Sequence, residues 1–442
     1  MVAQNLQHKI FSTGQRSGLK QFYTDVRSRS VWLCEPLETE DYVVQPSEDV
    51  SPPKWHLGHT SWFFETFLVQ AFHPHFKVHH AGYGFIFNSY YESIGERSPR
   101  NARGTLSRPT VKDVYAYRAA IDEQMLAILE TVSEPQWPEF ERLTVLGLNH
   151  EEQHQELLVM DIKSIFAQNP LRPVYRASQN DTAHHTDAPR GRTDTAFASG
   201  LYTIGHATED GFAFDNESPP HQVFLEGFTL ENRLVTNRDY LAFIEDGGYT
   251  KPALWLSDGW ATVQREGWHA PLYWEKLPEK SGGLWHETTL SGFHEISSLL
   301  DVPVCHVSHY EADAFATWSG KRLPSEAEWE VAAMISGAQV TDGNFLERAA
   351  FHPKPAHHDA PATLQLFGDV WEWTASAYLP YPRYRRESGA LGEYNGKFMS
   401  GQMVLRGGSC ATPAKHIRRT YRNFFQPDKR WAFSGIRLAG DF

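Results

Sequence analysis

Apolar residues recur at mixed three- and four-residue steps through Leu143, Leu146, Leu157, Leu158, Met160, Ile162 and Ile165, and neither Gly nor Pro interrupts from Leu148 to Asn169. That periodicity predicts a long helix over 139–168. Comparable patterns predict helices over 13–33, 55–73 and 111–132, the second of them introduced by Ser51-Pro52-Pro53. Four such helices fit a four-helix bundle, a scaffold whose facing helices project ligands inward. The gap from His73 to Pro109 is long for a compact domain and holds Tyr90, Tyr91, Arg97, Arg100, Arg103 and Arg108. A loop of that length is functional or disordered, and its aromatic and arginine content argues against disorder.

The pattern lapses from Asn169 to Thr195, where Pro, Arg, His, Asp, Thr and Gly leave little to bury. Residues 169–195 therefore read as a linker. Beyond it, short extended runs at 200–204, 222–225 and 404–406 alternate with short helical patterns at 236–246, 309–319 and 325–336, amid many Gly and Trp. Such a mixture predicts an α+β domain. The expected fold is multidomain: an all-α bundle over 1–168 and an α+β domain over 196–442.

Composition narrows the function classes. A chain of 442 residues exceeds one ordinary domain, and 41% hydrophobic with 21% charged residues is normal for a globular protein. A net charge of −13 with no Lys/Arg-rich run excludes a general nucleic-acid binder. Cys34, Cys305 and Cys410 are odd in number and far apart, which points to a reducing compartment rather than a disulfide framework. The polar N-terminus and the lack of any long apolar run predict a cytoplasmic protein with no membrane partner.

Chemistry concentrates in His150-Glu151-Glu152-Gln153-His154. Histidines four apart on a helix share one face with Cβ atoms roughly 5–6 Å apart, close enough to hold one metal ion. A third ligand is expected from a second element, and the run from Trp55 to Glu65 offers His56 and His59. His59, one turn before Phe63 on the apolar side, is the predicted ligand; His56 is read as an outer partner at the site or as a helix-start residue. Three histidines without a cysteine or carboxylate suit zinc or ferrous iron, and the residue types do not choose between them.

Longer motifs add a resemblance. Gly320-Lys321-Arg322-Leu323-Pro324-Ser325-Glu326-Ala327-Glu328-Trp329-Glu330, Gly368-Asp369-Val370-Trp371-Glu372-Trp373-Thr374, Leu405-Arg406-Gly407-Gly408-Ser409 and Ser434-Gly435-Ile436-Arg437-Leu438 resemble the formylglycine-generating-enzyme/sulfatase-modifying domain, a C-type-lectin-like fold. The copper-binding cysteine pair of its oxidase members is missing, because Cys410 stands alone late in the domain. The first half resembles the DinB-like metal bundles, with His59, His150 and His154 at the three-histidine positions. A DinB-like bundle joined to such a domain resembles the ergothioneine-biosynthetic sulfoxide synthases, or hercynine oxygenases.

That resemblance implies Fe(II) as cofactor, and O2, trimethylhistidine and a thiol as substrates. The thiol sulfur would be joined to C2 of the imidazole and oxidised to a sulfoxide. Three imidazoles leave three adjacent positions on an octahedral ion, enough for both substrates and dioxygen. Gln153, between the helical ligands, is the candidate for hydrogen-bonding the substrate ring. Tyr90 and Tyr91 are the candidate proton donors; Tyr378 and Tyr381 are rivals, since other family members take the tyrosine from the second domain, after the Trp-Glu-Trp-Thr motif. Arg100 and Arg103 are candidates for the thiol's carboxylate. Asn423 and Phe424 fit the family's trimethylhistidine-binding segment, and Phe425 stands where members using γ-glutamylcysteine place an aspartate, so cysteine is the expected thiol. Alternatives are a related synthase acting on histidine or a selenium donor, a zinc-dependent DinB-type thiol transferase, and a lectin-like binding module.

Overall fold

The computed structural model describes residues 16–177, 191–207, 210–356, 365–386 and 390–441. The chain forms two compact units, one of residues 1–165 with 387–394 and the other of 166–386 with 395–442. Among the described residues no helix is long and apolar enough to cross a membrane.

The first unit holds four long helices: α1 (Arg16–Cys34), α2 (Pro53–Phe64), α3 (Val111–Thr131) and α4 (Trp137–Ala167). Helices α1, α3 and α4 lie within a few residues of their predicted spans, although 13–15 fall outside the described residues. α2 stops at Phe64, short of the predicted end at 73, and the rest of that span is completed by other helical turns up to Phe72. Pro53 starts α2 at a position where a missing N–H costs nothing, and Thr110 with Asp113 closes a capping box on α3. Every residue of α2 is buried, so it is the central helix of its unit. A π-helical turn, Glu65–Val69, follows it directly. Gly147 on α4 lets the rings of Phe63 and Phe64 come close, since a Cβ there would stand 2.8 Å from Phe64. The long 73–109 segment is ordered, with a helical turn at Tyr83–Phe87 and a 3-10 turn at Arg100–Thr105.

In the second unit a four-stranded sheet runs in the order β10 (Asn423–Phe425), β9 (Met403–Arg406), β8 (Trp371–Ala377), β11 (Ser434–Gly435). β8 pairs antiparallel with β9 and parallel with β11. The four motifs that carry the family resemblance supply its interior. Trp329, Trp371 and Trp373 are fully buried, and buried ion pairs join Arg437 to Glu372 at 2.7 Å, Arg422 to Glu326 at 2.8 Å, and Arg406 to Glu330. Such partners offset the cost of desolvating a guanidinium group. Most of the expected linker, 178–190, lies outside the described residues; Tyr175 and Arg176 before it both donate backbone N–H groups to the Leu290 carbonyl.

Candidate metal centre

His59 on α2 and His150 and His154 on α4 bring one nitrogen each to within 4.8 Å of one another, and all three are buried. His59 Nε2 and His150 Nε2 are 3.2 Å apart. Two nitrogens about 2.1 Å from one ion and at a right angle to each other stand about 3 Å apart, so this spacing suits a shared ion.

The other ring nitrogens set the tautomers. His59 Nδ1 donates to the Phe87 carbonyl at 2.6 Å, which leaves its Nε2 lone pair for a metal. Gly58 makes that contact possible, because a Cβ on it would fall 2.1 Å from the Phe87 ring. His154 Nδ1 meets His56 Nδ1 at 2.9 Å, and His56 Nε2 meets Asp161 Oδ2 at 2.9 Å. With Asp161 accepting from His56 Nε2, neutral His56 accepts at Nδ1, so His154 donates from Nδ1 and keeps Nε2 free. His150 Nδ1 has no hydrogen-bond partner among the described residues. Burial holds all three imidazoles well below their usual basicity, His150 down to about 3, so they remain neutral donors.

His56 thus bridges His154 to Asp161, the arrangement that an outer partner of a metal ligand would have. Asp161→Ala is expected to weaken metal binding about 10–100-fold, the usual cost of losing an outer partner. Competition against a chelator measures it, and affinity within twofold of the parent would show that His154 needs no such support.

Trp55 stacks on His59 with centroids 4.6 Å apart and planes 9° apart, and the Arg103 guanidinium lies 3.3 Å from the Trp55 centroid on the indole. Arg103 is buried, yet its bonds go to the hydroxyls of Ser51 at 2.9 Å and Ser89 at 3.2 Å, and Nε has no partner among the described residues. Its positive charge also depresses His59 and His154. A buried guanidinium served by hydroxyls and not by a carboxylate is suited to receive one from a ligand. Arg100 differs: it is exposed and donates to the Asp49 carbonyl.

Tyr91 is fully buried against Trp62, Phe63 and Phe67, and its hydroxyl has no hydrogen-bond partner among the described residues. Phe63 in turn packs on His150 at 4.7 Å. Burial raises the pKa of both Tyr90 and Tyr91, so both phenols keep their protons. A third phenol, absent from the sequence reading, stands nearer the histidines. Tyr394 packs edge-on to His150 with centroids 5.4 Å apart, donates a hydrogen bond to Gln153 Oε1, and lies 6.2 Å from the Tyr90 ring.

The remaining candidates belong to the second unit. Asn423 and Phe424 are half-buried on β10, and Phe424 stacks on Tyr378 at 4.0 Å with planes 13° apart. Phe425 packs on Trp431. Tyr378 accepts a hydrogen bond from Asn216, and Tyr381 carries the Arg422 guanidinium 4.0 Å over its ring.

Comparison with known proteins agrees with both halves. The DinB superfamily pattern matches residues 23–158, and that of the sulfatase-modifying factor enzyme 1-like domain matches residues 179–442. Over 437 residues the chain is 34% identical to the hercynine oxygenase of Mycobacterium tuberculosis, covering 94% of this chain and 96% of that one. It is 32% identical over 424 residues to the hercynine oxygenase of Mycolicibacterium smegmatis, covering 89% and 91%. It is also 27% identical to ergothioneine biosynthesis protein 1 of Schizosaccharomyces pombe, over 51% of this chain and 27% of that one.

Proposed function

Since the chain belongs to the hercynine oxygenase family and is an oxygenase of the ergothioneine pathway, we propose that it is an Fe(II)- and O2-dependent sulfoxide synthase joining the sulfur of cysteine to C2 of the trimethylhistidine imidazole. The observation that carries this reading is the convergence of three buried, neutral imidazoles from α2 and α4 on one point. An all-imidazole donor set of this kind fits ferrous iron. Iron bound there supplies the redox chemistry that dioxygen requires. The overall change balances as thiol plus imidazole C–H plus O2 giving sulfoxide plus water, with one oxygen atom on sulfur and the other leaving with two hydrogens.

The chain's own residues bind and orient. Arg103 holds the thiol substrate's carboxylate in place of the missing counter-ion, its guanidinium kept flat by Trp55. Arg100, with its side chain exposed, adds positive charge at the approach to that group. Gln153 contacts the substrate ring through its amide. Tyr91, whose hydroxyl has no partner to lose, supplies a proton to oxygen as it is reduced, with Tyr90 beside it at 5.3 Å between ring centroids. Phe63, Phe67 and Trp62 keep water from that phenol. Asn423 and Phe424 bind the trimethylammonium end, where an aromatic face serves better than a hard counter-ion. Phe425 offers no charge to the amino end of a larger thiol, which favours cysteine over γ-glutamylcysteine.

The test is aerobic incubation of Fe(II)-loaded protein with trimethylhistidine and either thiol, followed by product mass. The expected product has the summed mass of trimethylhistidine and cysteine plus one oxygen minus two hydrogens, and O2 is consumed. Coupling without O2 uptake, or in zinc-loaded protein, would instead favour a thiol transferase. Turnover of histidine in preference to its trimethylated form would change the substrate assigned.

A further inference from the structure

We infer that Ser51 is a positioning residue: its hydroxyl sets the Arg103 guanidinium for the thiol substrate's carboxylate, while its backbone N–H holds the Asp161 carboxylate behind His154. This rests on the reading of Arg103 as the contact of the substrate carboxylate. Ser51 lies just before α2 and is 2% exposed. Its Oγ accepts from Arg103 Nη1 at 2.9 Å, and its N–H donates to Asp161 Oδ2 at 2.8 Å.

The direction of the first bond follows from the groups alone, because a guanidinium only donates and the serine oxygen therefore accepts. With it, the Ser89 hydroxyl on Nη2 at 3.2 Å and the Trp55 ring under the guanidinium at 3.3 Å fix the fork. Stacking on the indole holds the guanidinium plane, and the two hydroxyls set its rotation within that plane. Ser51 is the firmer of the two, since it is buried on the shorter bond while Ser89 is half-buried. Nε is left buried with no partner among the described residues. A desolvated donor of this kind is costly until an oxygen meets it, and a carboxylate brings two oxygens to a planar fork.

The other arm of Ser51 leads to the histidines. Asp161 Oδ2 also meets His56 Nε2, and His56 Nδ1 meets His154 Nδ1, each at 2.9 Å. One short run, Ser51 to His59, thus carries a hydroxyl and an indole for Arg103, the bridge to His154, and a ligand of its own. Arg103 is therefore placed relative to the three-histidine centre by the start of α2 rather than by the loop it comes from. A thiol held at that centre with its carboxylate on Arg103 needs the two ends at a set separation. An arginine without this support loses rotamer freedom only when substrate arrives, which weakens binding. Because hydroxyl and N–H serve different groups, Ser51→Ala separates them: it deletes the support of Arg103 and keeps the amide on Asp161.

The test uses full-length, Fe(II)-loaded protein under anaerobic conditions with saturating trimethylhistidine. Cysteine affinity is measured by calorimetry for the parent, Ser51→Ala, Arg103→Met and the double variant. Ser51→Ala is expected to weaken cysteine binding roughly three- to tenfold, the worth of one hydrogen bond. Iron affinity and trimethylhistidine affinity should stay within twofold, a split that general loosening of the helix start would not give. In the Arg103→Met background the Ser51→Ala effect should vanish, since the guanidinium it positions is already gone. Unchanged cysteine affinity in Ser51→Ala, an effect of equal size in both backgrounds, or a parallel loss of iron affinity would each overturn the inference. Unchanged cysteine affinity in Arg103→Met, or a parent that binds no cysteine, would overturn the underlying reading of Arg103, and those results are distinguishable because neither involves Ser51.

Discussion

His154→Ala is expected to abolish stoichiometric metal retention, with an affinity loss beyond the about 10–100-fold typical of an outer partner. The substitution removes one of three nitrogens from a centre whose members lie within 4.8 Å. It also strands His56, whose Nδ1 loses its partner at 2.9 Å while Nε2 stays on Asp161. Two imidazoles remain, those of His59 and His150. Metal per chain after dialysis against a weak chelator measures the effect, with circular dichroism as the check on folding. One equivalent of iron retained at parental affinity would remove His154 from the ligand set.

The second large effect is on stability. Glu151 sits between the ligands in sequence, about 100° round the helix from His150. It is fully buried, accepts from Arg27 at 2.9 Å and Ser30 at 2.6 Å, and pairs with Arg118. Burial alone would raise its pKa, but Arg118 and Arg27 outweigh that and hold it down at about 2. One carboxylate thus bolts α4, the helix of His150 and His154, to α1 and α3. Among the described residues, Glu151→Ala leaves Arg118 with the Thr60 hydroxyl and the Arg27 carbonyl, and Arg27 with Asp122 and the Ser61 hydroxyl. Breaking a buried pair by removing one partner costs about 3–5 kcal/mol, so the helical transition should move to markedly lower denaturant. Urea unfolding followed at 222 nm reads it, and a loss under about 1 kcal/mol would show that the arginines find other partners.

What could be read from the residues and what could not follows from the range of the interactions. Helices α1 to α4 announce themselves because burial of one helix face imposes a local period, and His150 and His154 share a face for the same reason. His59 was legible as the histidine on the apolar side of α2. Asp161 was not, because its link to His154 runs through His56, 105 residues away in sequence. The burial of Glu151 was not legible, because its partners Arg27 and Arg118 lie 124 and 33 residues away in sequence. Tyr394 carried no signal at all: its surroundings lack periodicity, and Gln153 lies 241 residues earlier. In the second unit the runs at 200–204, 222–225 and 404–406 emerged as strands, whereas the meander of β5 (Trp274–Lys276), β6 (Trp285–Thr289) and β7 (Gly292–Glu295) did not. β5 has only three residues and β7 is half-buried along its whole length, so neither offers an alternating pattern.

The central claim, that three imidazoles hold one ion, is tested most directly by X-ray absorption of the Fe(II)-loaded protein at the iron edge. The account expects a single mononuclear site whose outer scattering fits three histidine rings, falling to two in His154→Ala if any iron remains. An oxygen-only shell, or a parent site fitted by one imidazole or none, would contradict it.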